Sequence, residues 1–324
     1  MKIFLVINLS YFGDVLLTNA LCQNIKMAYP DSKIVFMVNK PFYEAALYQK
    51  DVDEVICFDK GGKHKNVLGL MDFVLNFPYR NNIYATFVMY NNDRGIVLSS
   101  LIGSKYRVFH NASLLGKLFV SKKLYAHKNP EKTQDAFAAY LSMLTGKDTV
   151  TCPIRYQPPK ISNLFLSKIK EKYKNNEIIG LCTTGKDSRK DMPVETAGAL
   201  INRLTSMGKK VFYFGAGEVS RKYAQELKNA GFTDFVDLTG KTTISQLGAM
   251  LKTCEALISV DTGTMHLACA VDVPVVAVFY LRENLKKWAP RENLYTCKVI
   301  SDDFSCENII KNLETVTEKC AVTS

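Results

Sequence analysis

An apolar run, Ala256–Val260, stops abruptly at Asp261-Thr262-Gly263, and a second, Val275–Tyr280, starts directly after Pro274. The stretch between them, DTGTMHLACAVDVP, carries His266 and is long enough for a short helix. Runs that are apolar throughout belong to strands covered on both faces, and two such strands joined by a helix form a parallel pair. The pattern recurs along the chain. Strand signals fall at Lys2–Asn8, Ile34–Val38, Glu54–Phe58, Tyr84–Tyr90 and Tyr106–Phe109, then at Ile178–Thr183, Lys210–Phe214 and Phe235–Leu238. Helical spacing lies between them, clearest at Pro193–Met207 and Glu218–Asn229. Alternation from end to end predicts an α/β chain built from doubly wound parallel sheets with helices on both faces.

A chain of 324 residues exceeds what one core usually serves, so two domains are expected. Cys152-Pro-Ile-Arg-Tyr-Gln-Pro-Pro-Lys160 cannot continue a helix and reads as the linker. The expected division is a domain at 1–155, a second at 156–305 and a closing helix at 306–324, the two Rossmann-like domains facing each other across a cleft. Apolar runs such as Pro274–Leu281 fall far short of the ~20 residues that span a bilayer. The amino-terminal MKIFLVINLSYFGDVLL looks at first like a signal peptide. Asp14 interrupts it too early and no small-residue cleavage site follows, so it reads as a first strand and the protein is expected in the cytoplasm. Nine cysteines are scattered without a C-x-x-C pair, which fits reduced thiols and gives little support to a zinc site.

The net charge of +11 calls for an anionic partner. Residues 1–150 hold 18 Lys/Arg against 12 Asp/Glu, and 151–324 hold 24 against 19. An excess spread this evenly, with no basic arm, argues against nucleic acid and suits phosphorylated substrates or an anionic membrane face.

Ligands of open parallel sheets bind beyond the carboxyl ends of the strands, so polar residues just after a strand are the candidates. Ser10-Tyr-Phe-Gly-Asp14 follows the first strand, and Asp14 reads either as a helix-capping carboxylate or as a general base. Thr183-Thr184-Gly-Lys-Asp-Ser-Arg-Lys190-Asp-Met-Pro193 puts hydroxyls, a glycine and three cations before a helix, an anion site or a solvated basic loop. Phe214-Gly-Ala-Gly-Glu218 is a weak dinucleotide fingerprint, because Ser220 stands at the third glycine position. Glu218 there suits a ribose diol or a first-turn acid. In the opening stretch the amides of Gly263, Thr264 and Met265 can face a diphosphate, with Asp261 on sugar hydroxyls and His266 one turn inside. The bland alternative is an Asp or Thr cap with a core histidine.

Taken together, GDVLLTNALCQNIKMAYPDSKIVFMV, KDMPVETAGALINRL, FGAGE, LTGKTTISQLGAML and SVDTGTMHLACAVDVPVVAVF make the chain resemble the bacterial heptosyltransferases, the ninth glycosyltransferase family. The resemblance runs nearly end to end, and D-[ST]-G-x-x-H-L-A with an amino-terminal G-D is its most specific part. It implies a GT-B fold, with the acceptor in the first domain and the nucleotide-sugar in the second. It also implies inverting transfer of heptose from ADP-heptose to the Kdo/heptose inner core of lipopolysaccharide or lipooligosaccharide. Asp14 then matches the base, and Lys190 the lysine facing the donor phosphates, with Thr183 and Thr184 beside it. Glu218 matches the ribose acid and Asp261 the heptose-holding residue. Thr262, Gly263 and His266 match the diphosphate loop. Ser10, Lys60, Lys63, Lys65, Arg94 and Arg107 are weaker candidates for acceptor carboxylates or phosphates. No cofactor is required by the motif, no D-x-D pair marks a metal, and loosely bound Mg²⁺ is compatible with it. The implied setting is the cytoplasmic face of the inner membrane, with a peripheral attachment and no nucleic-acid partner. Two departures stand out: Asn8 where relatives usually carry Lys or Arg, and Met192 where they carry Trp. A GT-B transferase using another nucleotide-sugar is the nearest alternative, and a non-catalytic basic binding module the more distant one.

Overall fold

The computed structural model describes residues 1–90, 93–109 and 130–323. The chain packs as two units, Met1–Arg155 and Tyr156–Ser324. In the first, β1 (Ile3–Asn8), β2 (Lys33–Asn39), β3 (Glu54–Phe58), β4 (Ile83–Val88) and β5 (Ser104–Phe109) form one sheet in the order β3-β2-β1-β4-β5. Every pair is parallel. Strand β1 is central, so both its faces are covered and all six residues are buried. That is why IFLVI is apolar without alternation. Its Leu5 and Ile7 join Val35, Met37, Phe58 and Val88 in the core.

In the second unit, β6 (Ile178–Cys182), β7 (Lys210–Tyr213), β8 (Phe235–Asp237), β9 (Ala256–Val260), β10 (Val275–Val278) and β11 (Cys297–Ile300) form a parallel sheet in the order β11-β10-β9-β6-β7-β8. Both orders are those of a doubly wound sheet, and each reverses once: between β1 and β4, and between β6 and β9. The helices leaving β1 and β4, or β6 and β9, run to opposite faces of their sheet and leave a crevice at the carboxyl ends. Each unit therefore carries one built-in place for a ligand.

Several expected boundaries shift. Tyr90, Thr183, Phe214 and Tyr280 lie just beyond their strands, so their side chains stand at the sheet edge rather than in the ladder. The edge strand β11 has no sequence forecast; its residues 298 and 299 are only half-buried. The Cys152–Lys160 stretch is not a loose tether. Gln134 holds the Cys152 carbonyl (2.7 Å), Gln23 the Pro153 carbonyl (2.6 Å) and Asn19 the Arg155 amide (2.9 Å), whereas the Tyr156 amide bonds to the Ala270 carbonyl (2.9 Å). Each side is thus fixed to its own unit. The final helix, Cys306–Thr323, buries Ile309, Ile310, Leu313 and Val316 in the second unit's core. The eight cysteines with described side chains are free thiols. Among the described residues no helix is long and apolar enough to cross a membrane.

Candidate active site

At the end of β1 the chain turns through Leu9 and Ser10 into the helix Phe12–Leu17, with Asp14 in its first turn. Buried Asn8 sets this turn. Its Oδ1 accepts from the Ser10 amide (3.0 Å), and its Nδ2 donates to Thr18 Oγ1 (2.8 Å) and to the Asp14 carbonyl (3.2 Å). The residue standing where relatives carry a cation is therefore a scaffold of the turn. Asp14 does the capping that the bland reading foresaw, accepting from the Tyr11 amide at Oδ2 (3.4 Å). Its other oxygen takes a bond from the Tyr90 hydroxyl (2.7 Å). A carboxylate offers about four acceptor positions, so a substrate hydroxyl can be added to these two donors.

Tyr90 comes from the end of β4, across the switch point, and has φ +60°. This is the left-handed region, which bulky residues rarely occupy and which is found disproportionately at functional sites. The ring packs edge-on against Phe137 (5.3 Å). Burial, and next the negative charge of Asp14, push the Tyr90 hydroxyl far above its ordinary pKa. It stays a donor at any physiological pH. Tyr90 is the member that sequence reasoning missed, because it was counted inside its strand instead of just beyond it.

The weaker candidates of this unit divide. Lys60 Nζ reaches the Leu9 carbonyl (3.3 Å), beside the Asp14 turn, and Arg94 bonds to the Lys60 and Lys65 carbonyls (3.2 and 3.4 Å). Lys63 pairs with Asp72 at 3.5 Å. Ser10 is held through its amide by Asn8. Arg107 is not gathered with them. Its guanidinium bonds back to the carbonyl of Ser104, the first residue of β5, and so reaches toward the opposite end of the sheet.

In the second unit the turn after β6 and the turn after β9 meet at the switch point. Lys190 Nζ lies 2.7 Å from Asp261 Oδ2, and Asn284 donates to the same oxygen (2.8 Å). Asp261 is buried and Lys190 mostly so, which leaves the ammonium two further N–H groups to offer. The loop carrying Lys190 is closed by the Gly185 amide on Asp191 (2.8 Å) and by the Met192 amide on the Thr183 carbonyl (2.9 Å). Met192, in place of Trp, is a core residue whose carbonyl accepts from Tyr223 (2.6 Å). Exposed Arg189 folds onto half-buried Asp187 (2.6 Å) and holds that carboxyl down at about 2. Of the loop's cations, Lys190 is the one drawn into the turn beside Asp261.

Thr183 Oγ1 shares a hydrogen bond with Tyr213 OH (2.8 Å), and Thr184 Oγ1 one with Ser220 Oγ (2.7 Å). Both hydroxyls are buried and tie β6 to its neighbours. Ser220 also explains the failed fingerprint: a Cβ on Gly215 would sit 2.6 Å from the Ser220 Cβ, so serine fills the space a third glycine would leave. Glu218 is exposed and pairs with Lys222 one turn on (2.9 Å), the first-turn acid of the bland reading. Thr262 caps the helix Gly263–Ala270 with extended backbone and no side-chain bond to it, so its side chain takes up none of the helix's first amides. Gly263 and Thr264 are half-buried, whereas Met265 and His266 are buried.

Burial drives His266 down to about 4; the Lys190 charge adds to this and Asp261 opposes it. The imidazole is therefore neutral at neutral pH and can offer an N–H but no positive charge. Its folded pKa lies below its unfolded one, so between roughly 6.5 and 4 the unfolded chain binds more protons and stability falls as pH falls. This contribution is expected to approach about 1 kcal/mol per pH unit within the window. Urea melts of wild type and His266→Gln across pH 4–7 check it: the variant's stability should fall less steeply on acidification, and parallel slopes would refute the assignment.

A model of glycosyltransferase family 9 (heptosyltransferase) matches residues 103–316. The chain belongs to glycosyltransferase family 9. The lipopolysaccharide core heptosyltransferase OpsX of Haemophilus influenzae is 25% identical over 303 residues, 90% of this chain and 83% of that one. The family 9 glycosyltransferase structure from Veillonella parvula superposes with TM-score 0.84 at 22% identity, covering 98% of each chain. The Escherichia coli heptosyltransferase WaaC, solved with ADP, gives TM-score 0.74 at 17% identity, covering 97% of this chain and 100% of that one. At those identities the structures establish the GT-B-like fold, and the family model carries the membership.

Proposed function

We propose that this family 9 enzyme moves heptose from ADP-heptose to the Kdo/heptose inner core of lipopolysaccharide or lipooligosaccharide, with inversion. The Lys190–Asp261 pair carries the reading, set against the amino terminus of the helix that begins with Gly263, Thr264 and Met265 at the end of β9. An ammonium and a helix amino terminus together suit a diphosphate. In this reading Asp261 also meets the heptose hydroxyls, Thr183 and Thr184 fix the strand end beneath the phosphates, and Glu218 turns from Lys222 to the ribose. Asp14 is the base. As the acceptor oxygen bonds to the anomeric carbon, the carbon–oxygen bond to the diphosphate breaks and ADP leaves with the electron pair. The hydroxyl proton passes to Asp14. Negative charge grows on the leaving diphosphate, and Lys190 and the amides stabilise it more than they stabilise the ground state. A diphosphate leaves without protonation, so no general acid is needed. The reading needs no metal cofactor, and a loosely held Mg²⁺ on the diphosphate is compatible with it. The acceptor is lipid-linked, which sets the working place at the cytoplasmic face of the inner membrane.

The test is mass analysis of Kdo, phospho-Kdo and heptosyl-Kdo lipid acceptors after incubation with ADP-heptose, run beside thermal shifts with ADP, UDP, GDP and CMP. A mass gain of one heptose, and stabilisation by ADP above the others, are the expected results. Stabilisation by UDP alone would replace the ADP reading with another nucleotide-sugar. DNA binding that is tight and steep in salt, without nucleotide affinity, would replace it with a basic binding module.

A further inference from the structure

Strand β9 lies between β10 and β6 in the second sheet, and Asp261, the first residue beyond it, is gripped from both neighbours. Lys190 reaches it from the loop after β6 (2.7 Å), and Asn284 Nδ2 from the helix Arg282–Trp288 after β10 (2.8 Å). Both donors take the same atom, Oδ2. One carboxylate oxygen has room for about two such bonds, so Oδ2 is filled. Oδ1 has no hydrogen-bond partner among the described residues, yet it is not shut away from solvent as the unpartnered oxygens of Gln49 and Thr86 are. It is the side of the carboxylate left for a ligand.

The segment that brings in Asn284 is anchored at each step. The Phe279 amide bonds to the Ile300 carbonyl (2.8 Å), the Tyr280 ring lies on Phe304 (4.3 Å), and the Asn284 amide closes on the Leu281 carbonyl (3.0 Å). Glu283 meets Arg189 at 4.0 Å, so the helix touches the Lys190 loop as well as Asp261. Asn284 itself is half-buried.

The two donors do different things. An ammonium is a compact point charge with three rotatable donors, and it tolerates many orientations of the carboxylate it meets. An amide N–H is directional, and its bond weakens steeply away from the line. Lys190 therefore supplies charge, whereas Asn284 selects which oxygen turns to the crevice.

We propose that Asn284 is a positioning residue for the donor sugar: by holding Asp261 Oδ2, it keeps Oδ1 toward the sugar hydroxyls. The inference rests on the reading above, in which Asp261 meets the heptose. Without the amide, the carboxylate can turn about its own axis while Lys190 stays paired with it. The charge remains and the aim is lost. The effect should fall on the sugar and spare the diphosphate.

The measurement compares wild type, Asn284→Ala and the isosteric Asn284→Asp by titration calorimetry with ADP and by initial rates with ADP-heptose. Asn284→Ala should lower kcat/KM for ADP-heptose about tenfold and leave the Kd of ADP within about twofold. Asn284→Asp fills the same space but sets an acceptor beside a carboxylate, so its kcat/KM should fall at least as far. A residue that merely fills space gives the reverse order, and an Asn284→Asp enzyme near wild type beside an impaired Asn284→Ala overturns the inference. So does an equal loss of ADP affinity in Asn284→Ala. Asp261→Ala removes the group through which Asn284 acts, so adding Asn284→Ala to it should cost nothing further in kcat/KM; an undiminished second loss again overturns the inference. Wild-type kcat/KM in Asp261→Ala alone is a different failure, because it takes Asp261 out of the sugar site and so removes the reading on which the inference stands.

Discussion

Asp14→Asn should keep wild-type affinity for ADP and lose about 10²–10⁴-fold in heptose transfer, the usual contribution of a positioned general base. The substitution suits the site. Asparagine retains an oxygen for the Tyr90 hydroxyl and gives up the long bond from the Tyr11 amide, so the turn built by Asn8 and Thr18 should survive. What goes is the ability to accept the acceptor's proton. Isothermal titration with ADP and initial rates with ADP-heptose on one preparation check both halves, and an Asp14→Asn enzyme that still turns over at wild-type rate would remove Asp14 from the mechanism. Tyr90→Phe is the companion. Tyr90 touches Asp14, not substrate in this reading, and holds one carboxylate oxygen at 2.7 Å. Its loss frees the carboxylate to rotate, so kcat should fall by about tenfold with KM for ADP-heptose unchanged. A purely structural role would instead lower the melting temperature and leave the kcat-to-KM pattern of the folded fraction untouched.

The parts of this molecule legible in the sequence are those that a single local rule decides. Buried parallel strands are written as continuous apolar runs, so β1 and β9 were visible from Ile3–Ile7 and Ala256–Val260, and the strand-end rule then led to Asp14 and Asp261. Strand β11 escaped because an edge strand with Lys298 in its middle carries no such run. Tyr90 escaped for another reason: its positive φ arises where β4 meets the Asp14 turn, and nothing in the residues around it announces a left-handed tyrosine. The role of Asn8 was equally hidden, since a buried amide and a solvent-facing one are the same letter. The exposed face of Val67–Leu75 is the sharpest case. Its residues are apolar on both sides, so pattern alone places the helix inside, and only the packed structure reveals which side lacks a cover.

Lys190 is where stability and catalysis can be pulled apart. Lys190→Ala removes the ammonium expected to meet the leaving diphosphate, and transfer should drop by about 10²–10³-fold, the usual loss for one preorganised donor. It also strips Asp261 of its counter-charge. That carboxylate is buried and left with the Asn284 amide, so the variant should lose stability as well. Breaking a fully buried pair costs about 3–5 kcal/mol, but Lys190 is one-fifth exposed, so about 1–3 kcal/mol is expected here. A second substitution separates the effects. Asp261→Asn in the Lys190→Ala background removes the unpaired charge and keeps an oxygen for Asn284, so the melting temperature should recover while transfer stays down. Urea melts and rates on the single and double variants close the cycle. Recovery of both together would mean that Lys190 serves only to neutralise Asp261. Recovery of stability alone is the result that a phosphate-facing lysine requires, because the charge on the departing ADP still has to be met after Asp261 has been silenced.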